Sequence, residues 1–312
     1  MGRYAARRLA QGVLLIFAVS LLVFSLLYMM PGDPVEILTG ERVSEQRKEE
    51  LRVSMGLDRS LPQQYFTWLS KAIRLDLGSS LITKLSVKDS ILSRLPITLR
   101  ISGFALLTEI VIAVPLGLLA AYRKDGIFDR YLMAIASFLQ SVPNFWLAML
   151  LILLFGASLQ WLPLNGYGTW RHFVLPVASI AMTGMASILR MTKAEVLEVF
   201  REKYVQTAYA KGLRNRQVMV RHVLRNSLIL VTVMVFLSLP WIVSGSVIIE
   251  NIFIIPGMGS MLTKAIAAQD FPVVQACVLI ITVLTVVCNL ASDIISAMLD
   301  PRIRIEISRG AK

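Results

Sequence analysis

Six long apolar stretches, separated by polar segments, dominate the hydrophobic pattern of this 312-residue chain. A helix needs about 20 apolar residues, with a usual range of roughly 17–25, to cross the hydrocarbon core of a bilayer. Each stretch meets that requirement. The predicted spans are Leu9–Met29, Ile101–Tyr122, Tyr131–Phe155, Phe173–Leu189, Leu228–Ile249 and Val273–Met298. We therefore expect an all-α membrane protein with six transmembrane helices.

The polar segments between the spans divide the chain into four regions. Residues 1–29 form the N-terminus and the first span, whose apolar run is too long for the core of a signal peptide. Residues 30–100 form one long external loop, predicted to be mostly helical. Residues 101–298 form a five-helix transmembrane core, which contains a polar loop at 190–227, and residues 299–312 form a tail.

Lysine and arginine are distributed unequally between the two sides of this topology. The two short external loops, 156–172 and 250–272, contain only Arg171 and Lys264. The segments on the opposite side contain 19 basic residues, within 1–8, 123–130, 190–227 and 299–312. Because basic residues that flank spans stay in the cytoplasm, both termini are predicted to be cytoplasmic. Loops as long as 30–100 cross largely regardless of their charge.

Composition excludes several classes of protein. With 56% apolar and 17% charged residues, the chain is too apolar for a soluble domain of this length. The net charge of +12 could indicate nucleic acid, but the basic excess lies in short loops beside spans and no basic-aromatic module accompanies it. We therefore expect a lipid bilayer, and no nucleic acid, as the partner of these charges. Cys277 and Cys288 lie eleven residues apart on one predicted helix, too far to form a disulfide.

Polar and helix-breaking residues inside the spans are candidates for a translocation pathway. Pro143 and Asn144 interrupt the third span, and broken helices at membrane depth occur where protein or a water-filled cavity satisfies the backbone. Ser244 and Gly245 make the outer half of the fifth span similarly adaptable. Glu109 lies deep in the second span, where a carboxylate is costly. The alternatives are a packing kink at Pro143, close helix packing at Gly245 and a structural hydrogen bond for Glu109.

The sequence offers little support for catalysis. Its two histidines, His172 and His222, lie on opposite sides of the predicted membrane, so they cannot share a metal site. No phosphate-binding G-x-x-x-x-G-K-[ST] loop occurs. We expect no catalytic residue, no metal site and no cofactor on this chain, so any nucleotide that drives it must be bound by another subunit. Asp293, near the inner end of the sixth span, is expected to pair with an arginine of a loop.

The loop at 190–227 has the pattern of a docking element. It carries nine lysines and arginines against three acids. A helical apolar face is predicted from Val196 to Tyr209, with Gly212 as its C-cap because glycine adopts the left-handed conformation that ends helices. A second short helix is predicted at Gln217–Leu224. A protein partner is favoured over anionic lipid because two helices joined by a short turn make a structured surface.

At these residues the chain resembles the inner-membrane permeases of binding-protein-dependent ABC importers. The family's loop reads E-A-A-x-x-x-G, and this chain has Gln206-Thr207-Ala208-x-x-x-Gly212, so the glutamate and the first alanine are replaced. The dipeptide/oligopeptide/nickel branch fits better. Its loop pattern is matched at Tyr204, Ala208, Lys211, Gly212, Leu213, His222, Arg225 and Asn226. The resemblance implies that these residues, together with Gln206, Thr207 and Arg221, form the site that couples the permease to its ATPases. Further matches are Asp76-Leu-Gly78, Pro143-x-Phe-Trp-Leu147, Glu250-x-Ile-Phe253, Pro256-Gly-x-Gly259, Asp270-x-Pro272 and Asp300-Pro-Arg302.

The resemblance implies a permease of the bacterial cytoplasmic membrane that works by alternating access. It implies three kinds of partner: a second, similar permease, two cytoplasmic ATPases that carry the ATP and Mg²⁺, and an external solute-binding protein. The Gly166-Tyr-Gly-x-Trp170-x-His172 loop is most similar to nickel permeases of the branch. Nickel or a metal chelate is therefore the expected cargo, with di- and oligopeptides as the alternative. A self-contained secondary transporter is less favoured, since Glu109 is the one candidate for ion coupling.

Overall fold

A computed structural model of the protein describes residues 2–29, 34–39, 44–54 and 56–299. Within these ranges the chain is helical, with an isolated bridge between Ser79 and Ser86 in place of any strand. The α-helices are α1 Gly2–Met29, α2 Pro34–Thr39, α3 Glu45–Ser54, α4 Leu61–Ile73, α5 Val87–Tyr122, α6 Ile127–Ser141, α7 Asn144–Leu151, α8 Arg171–Arg201, α9 Lys203–Ala210, α10 Asn215–Val218, α11 Arg225–Ile252, α12 Met258–Ala267 and α13 Phe271–Leu299. The predicted tail from residue 300 onward lies outside the described residues.

The prediction of an all-α protein with several spans is confirmed. Five segments of the described chain are long and apolar enough to cross a membrane, and they belong to α1, α5, α8, α11 and α13. A sixth crossing is available if α6, α7 and the π-helical segment Ile152–Ser158 are taken together. The second and fourth predicted spans are parts of longer helices, since α5 begins at Val87 and α8 extends to Arg201.

The third predicted span is bent rather than continuous. Its two halves, Ile127–Ser141 and Asn144–Ser158, meet at 104°. Val142 is extended, with ψ of 125°, because a residue before proline avoids the helical region. Pro143 then precedes the first turn of α7, and its carbonyl oxygen accepts hydrogen bonds from the amides of Trp146 and Leu147 at 3.1 Å. The interruption predicted from Pro143 is therefore present.

Helices α5 and α8 pack together more extensively than any other pair of described helices. Two glycines permit their close approach. A β-carbon on Gly117 of α5 would lie 2.7 Å from Cβ of Thr192 and 2.8 Å from the carbonyl oxygen of Leu189, both on α8. A β-carbon on Gly184 of α8 would overlap the carboxylate of Glu109 on α5. The two helices thus form one tightly packed pair that runs in the same direction.

The long loop after α1 returns to α1 instead of projecting away from it. On α4, Tyr65 is buried, and its hydroxyl lies 2.8 Å from Oγ of Ser20, in the outer half of α1. The Tyr65 ring also makes edge contacts with Phe17 and Phe24 of α1. Helix α4 therefore packs along the last turns of the first span.

At the opposite end, α1 and α13 are joined near the cytoplasm. Nε of Arg8 lies 3.2 Å from Oδ2 of Asp293, which confirms that Asp293 pairs with an arginine, although this arginine lies on α1 and not in a loop. Gly12 lies against Val286 of α13, where a β-carbon would come within 2.6 Å of Cγ1. The first and last spans are therefore neighbours in the bundle.

Candidate functional site

The basic loop at 190–227 is built from the ends of two long helices and one short helix between them. Helix α8 stops at Arg201 because Glu202 is extended, with φ −65° and ψ 140°. Helix α9 begins at the next residue, and the amides of Val205 and Gln206 donate to the carbonyl oxygen of Glu202 at 3.0 and 3.2 Å. The single helix predicted from Val196 to Tyr209 is therefore wrong, because the chain turns at Glu202 within it.

The buried face of α9 anchors it to the bundle. Val205 and Ala208 are buried together with Val196 and Val199 of α8 and Ala121 of α5. Val218 and Val223, which follow α9 in the chain, belong to the same cluster. The position of α9 is consequently tied to α8, to α5 and to the start of the following span.

The end of α9 is closed by a glycine cap. The amide of Leu213 donates to the carbonyl oxygen of Ala208 at 3.3 Å, and the amide of Gly212 donates to that of Tyr209 at 2.9 Å. Gly212 has a φ of +78°. This pair of bonds around a left-handed residue is the Schellman motif, which glycine favours because it has no β-carbon. The predicted C-cap at Gly212 is therefore present.

Most of the site residues predicted for this loop are exposed. The group that we call the coupling surface, after its predicted role, comprises Tyr204, Gln206, Thr207, Lys211, Gly212, Leu213, Arg221 and Arg225, all of them exposed. Ala208, by contrast, is buried and faces the bundle. Its role in the structure is to hold α9 in place, while its neighbours present polar and aromatic groups to the outside.

Asn226, one of the residues that match the dipeptide/oligopeptide/nickel branch, connects the start of α11 to α9. Nδ2 of Asn226 donates to the hydroxyl of Tyr204 at 2.9 Å and to the carbonyl oxygen of His222 at 2.8 Å. His222 itself is half-buried. The separate short helix predicted at Gln217–Leu224 is wrong, because α10 continues through a π-helical turn, Met219–Leu224, directly into α11.

A buried ion pair braces the loop from the side. Nζ of Lys193 lies 2.5 Å from Oδ1 of Asp129, which is almost completely buried at the start of α6. Oδ2 of Asp129 accepts a hydrogen bond from the amide of Asp125 at 3.0 Å. The carboxylate therefore links the turn between α5 and α6 to the cytoplasmic part of α8. Its sequence signal is weak, since Asp129 and Lys193 are 64 residues apart.

The pathway candidates do not form one cluster by the contacts described. Glu109 is buried between α5 and α8, facing Gly184. Pro143 and Asn144 lie at the bend between α6 and α7, where Pro143 is exposed and Asn144 is half-buried. Ser244 and Gly245 belong to α11, but side chains from 239 to 245 lie outside the described residues. Their roles in a pathway stay predictions.

Two buried carboxylates, not predicted as site residues, hold the external helix α12. Oε1 of Glu250 accepts from Oγ1 of Thr98 at 2.6 Å, and Oε2 accepts from the amide of Ser260 at 3.1 Å. Thr98 Oγ1 in turn accepts from the amide of Met258 at 2.9 Å. A β-carbon on Gly257 would overlap this carboxylate. Glu250 and Thr98 thus accept hydrogen bonds from amides in the first turn of α12, which have no partner within the helix. A helix N-terminus is also a favourable place for a negative charge.

Asp270 lies just after the end of α12 and ties that end to the external loop. Its Oδ1 accepts from the amide of Leu81 at 2.9 Å, and its Oδ2 accepts from Oγ of Ser80. Ser80 and Leu81 belong to the external loop that precedes α5. The signal available in the sequence was the pair of acids that brackets the Pro256-Gly-x-Gly259 motif, although neither partner could be identified from it.

The His172 loop has a local packing role in the structure. Nδ1 of His172 lies 2.8 Å from Oγ1 of Thr169, and the amide of Gly166 donates to the carbonyl oxygen of Phe253 at 2.8 Å. Across the described ranges, no group of three or more His, Cys, Asp or Glu residues is placed to hold a metal ion.

Comparison with known sequences covers almost the entire chain. Residues 113–305 match the family described as binding-protein-dependent transport system inner membrane component, and residues 1–102 match its N-terminal counterpart. A Brucella abortus (strain 2308) protein with the provisional name of peptide transport system permease protein is 36% identical over 96% of this chain and 98% of its own length. The glutathione transport system permease protein GsiC of Escherichia coli (strain K12) is 34% identical over 97% of this chain and 99% of its own length.

Two solved structures share the fold over about two thirds of the chain. The MetNI methionine ABC transporter aligns with a TM-score of 0.55 and 17% identity, covering 67% of this chain and 96% of the compared chain. An amino acid ABC transporter crystallised with histidines aligns with the same TM-score of 0.55, at 13% identity, over 67% of this chain and 94% of the compared chain.

Proposed function

The chain belongs to the family of inner membrane components of binding-protein-dependent transport systems, as an ABC importer permease of the peptide/nickel branch, and from this premise we propose that its cargo is short peptides. The carrying observation is the identity of 34–36% over nearly the full length to relatives named for peptide and for glutathione, itself a tripeptide. Nickel, expected from the His172 loop, has no counterpart in those names. His172 also has a local hydrogen-bond partner in Thr169, so its presence does not require a metal ion.

The coupling surface is the proposed docking site for two cytoplasmic ATPases, which would bind the ATP and Mg²⁺. An exposed surface with two aromatic or aliphatic side chains, Tyr204 and Leu213, and several basic ones suits a protein partner, because aromatic and arginine residues dominate interface energetics. Its backbone is fixed by the Gly212 cap and by Asn226, so little entropy is lost on docking.

Movement of the ATPases would reach the bundle through α9. Val205 and Ala208 of α9 contact the cytoplasmic ends of α5 and α8, and those two helices form the closely packed pair that spans the core. A displacement of α9 is therefore transmitted to α5 and α8 as a unit. We expect a second, similar permease to complete the pathway, and an external solute-binding protein to deliver the peptide.

Uptake measurements test the cargo directly. Cells deleted for this chain, and cells complemented with it, would be given a radiolabelled dipeptide, labelled glutathione or ⁶³Ni²⁺. We expect complementation to restore peptide uptake and to leave nickel uptake unchanged. Restoration of nickel uptake alone would refute the peptide proposal while leaving the ABC importer assignment intact. Uptake by the purified chain alone, without ATPases and driven by a proton gradient, would refute the importer mechanism itself.

A further inference from the structure

A cavity of about 550 Å³ lies where the external loop meets the outer ends of the first and last spans. Its floor is formed by Phe24 and Leu27 of α1 and by Phe271 at the start of α13. Its walls come from α4 and from the turns on either side of it, including Trp68 and Leu77. Pockets of roughly 300–1,000 Å³ are the size that binds small molecules.

The depth of this cavity is set by α4. Because Tyr65 contacts Ser20 and Phe24, α4 lies beside the outer half of α1 and below its outer end. Phe66 and Ile73 of α4 are exposed, at 59% and 75%, as expected for a helix whose surface meets the lipid interface. Tyr28 and Trp68 line the cavity, and tyrosine and tryptophan are enriched at the level of the headgroups. These side chains favour a position for the cavity at the level of the lipid headgroups.

The polar groups of the cavity favour an anion. Arg52, Arg59 and Lys71 line it, against one carboxylate, Asp76. Nε of Arg52 lies 3.6 Å from Glu49, and Oδ1 of Asp76 accepts from the amide of Gly78 at 3.2 Å. Arg59, which precedes α4, and Lys71, in the last turn of α4, are exposed side chains that line the same cavity. Apolar floor and cationic rim together match a molecule with an anionic head and a hydrocarbon tail.

We propose that this cavity binds one anionic phospholipid, with the phosphate at the cationic rim to which Arg59 and Lys71 contribute and the start of an acyl chain against Phe24 and Leu27. A lipid is favoured over the transported peptide for two reasons. The cavity lies beside α1 and α13, away from the α5 and α8 pair that connects to the coupling surface. The same helix that supplies Phe24 and Leu27 also carries exposed apolar side chains, Leu22 and Leu26, which suit contact with lipid. This site is separate from the transport pathway and does not depend on the cargo.

Native mass spectrometry of the purified transporter tests the site. The full chain, with its co-purifying subunits, would be titrated with phosphatidylglycerol or phosphatidylcholine of identical acyl chains. We expect one phosphatidylglycerol to be retained at concentrations at which phosphatidylcholine is not. In the variant Arg59→Gln/Lys71→Gln, its affinity should fall about 25-fold, since each cation near an anionic lipid contributes about fivefold. Thr67→Trp, which fills the cavity without altering charge, should also lower retention.

A matched control separates the site from general electrostatic attraction. Arg74→Gln/Lys84→Gln removes two external cations that do not line the cavity and should leave retention unchanged. Equal retention of the two lipids, or equal loss in the control variant, would overturn the proposal. So would displacement of phosphatidylglycerol by a soluble dipeptide, since the cavity would then be a peptide site. Failure of sn-glycerol 3-phosphate to compete is expected, because it lacks the acyl chains.

Discussion

Gly212 shows how a single residue shapes the coupling surface. Its φ of +78° is open to glycine but costs another residue about 1–2 kcal/mol. No atom lies within 4 Å of the position where its β-carbon would be, so conformation and not space is the constraint. Asparagine tolerates this conformation better than other residues with side chains. Substitutions at this position can therefore separate the effect of backbone conformation from the effect of side-chain size.

We predict that Gly212→Val abolishes uptake and lowers ATPase co-purification while leaving membrane insertion intact. The β-branched residue cannot hold the cap, so the Leu213 and Gly212 amides lose their partners. Gly212→Asn is the control, and it should retain most of both activities. Uptake of labelled peptide and quantitative co-purification measure the effect. Unchanged uptake by Gly212→Val would argue against a coupling role for this surface.

We predict that Glu250→Ala destabilises the protein more than Glu250→Gln does. Hydrogen bonds to charged groups contribute about 1.5–3 kcal/mol, and removing the carboxylate leaves buried donors from Thr98 and Ser260 unsatisfied. Thermal unfolding in detergent can be followed with a thiol-reactive dye, because Cys277 is buried in the folded state. Glu49→Ala, at an exposed position, should leave the unfolding temperature unchanged. An equal shift for Glu49→Ala and Glu250→Ala would contradict this role.

Residues differ in how far their roles follow from the sequence. The Gly212 cap was predictable because a cap depends on local backbone geometry and a recognisable residue type. The role of Glu250 was not, because its partner Thr98 is 152 residues away. Ala208 and Gly212 belong to one motif, yet one is buried and the other exposed. A motif alone does not indicate which of its residues face a partner.

At the scale of the elements, the break at Glu202 is the largest departure from prediction. Apolar positions continue at helical spacing from Val196 to Tyr209, so periodicity alone predicts one helix. The helix stops and restarts within one residue, and both halves bury their apolar sides in the same cluster. The three- and four-residue spacing of apolar positions therefore continues across the break. The break is thus a consequence of tertiary packing, which the local pattern does not record.

The ion pair of Asp129 and Lys193, which joins α6 to α8, leads to a prediction about stability. Asp129→Asn and Lys193→Met should each destabilise the protein by about 3–5 kcal/mol, since each leaves a largely buried polar group without its charged partner. The double variant should cost less than the sum of the two. The exposed pair Arg47 and Glu50 is the control, with an expected coupling below about 1 kcal/mol. Additive costs for Asp129 and Lys193 would contradict the brace.

The close packing of α5 against α8 leads to a second prediction about stability. Gly184→Ala should lower the unfolding temperature, because its methyl group overlaps the Glu109 carboxylate. Glu109→Ala introduced together with Gly184→Ala should recover part of the loss, since it removes the overlapping atoms. Gly103→Ala, on α5 with nothing within 4 Å, is the matched control and should have no effect. Absence of any recovery would show that the overlap is not the cause.

At the scale of the whole molecule, fold class followed from apolar run lengths, because a bilayer permits few spanning structures. The path of the long external loop did not follow from them. Its charges predicted a small external subdomain, and that prediction did not include the contact by which Tyr65 brings α4 against the first span. That contact joins positions 45 residues apart, so it depends on the tertiary arrangement and not on local composition.

Orientation in the membrane is open to direct labelling. Single cysteines at Arg74 and at Lys211, in a chain with Cys277→Ala and Cys288→Ala, occupy exposed positions on opposite sides of the predicted topology. We predict that a membrane-impermeant maleimide labels the cysteine at 74 in intact spheroplasts and the one at 211 only after permeabilisation. The reverse pattern would invert the topology derived from the basic residues.

The two carboxylates that hold α12 also determine how this chain can be divided. Ser80 and Thr98 lie in the stretch that matches the N-terminal family, whereas Glu250 and Asp270 lie in the stretch that matches the transport family. Each carboxylate therefore accepts at least one hydrogen bond from the other stretch, and during synthesis those donors emerge more than 150 residues earlier. The two stretches are matched as separate modules, yet they interlock outside the membrane. A chimera that exchanges one stretch between relatives must preserve both partners of each of these hydrogen bonds.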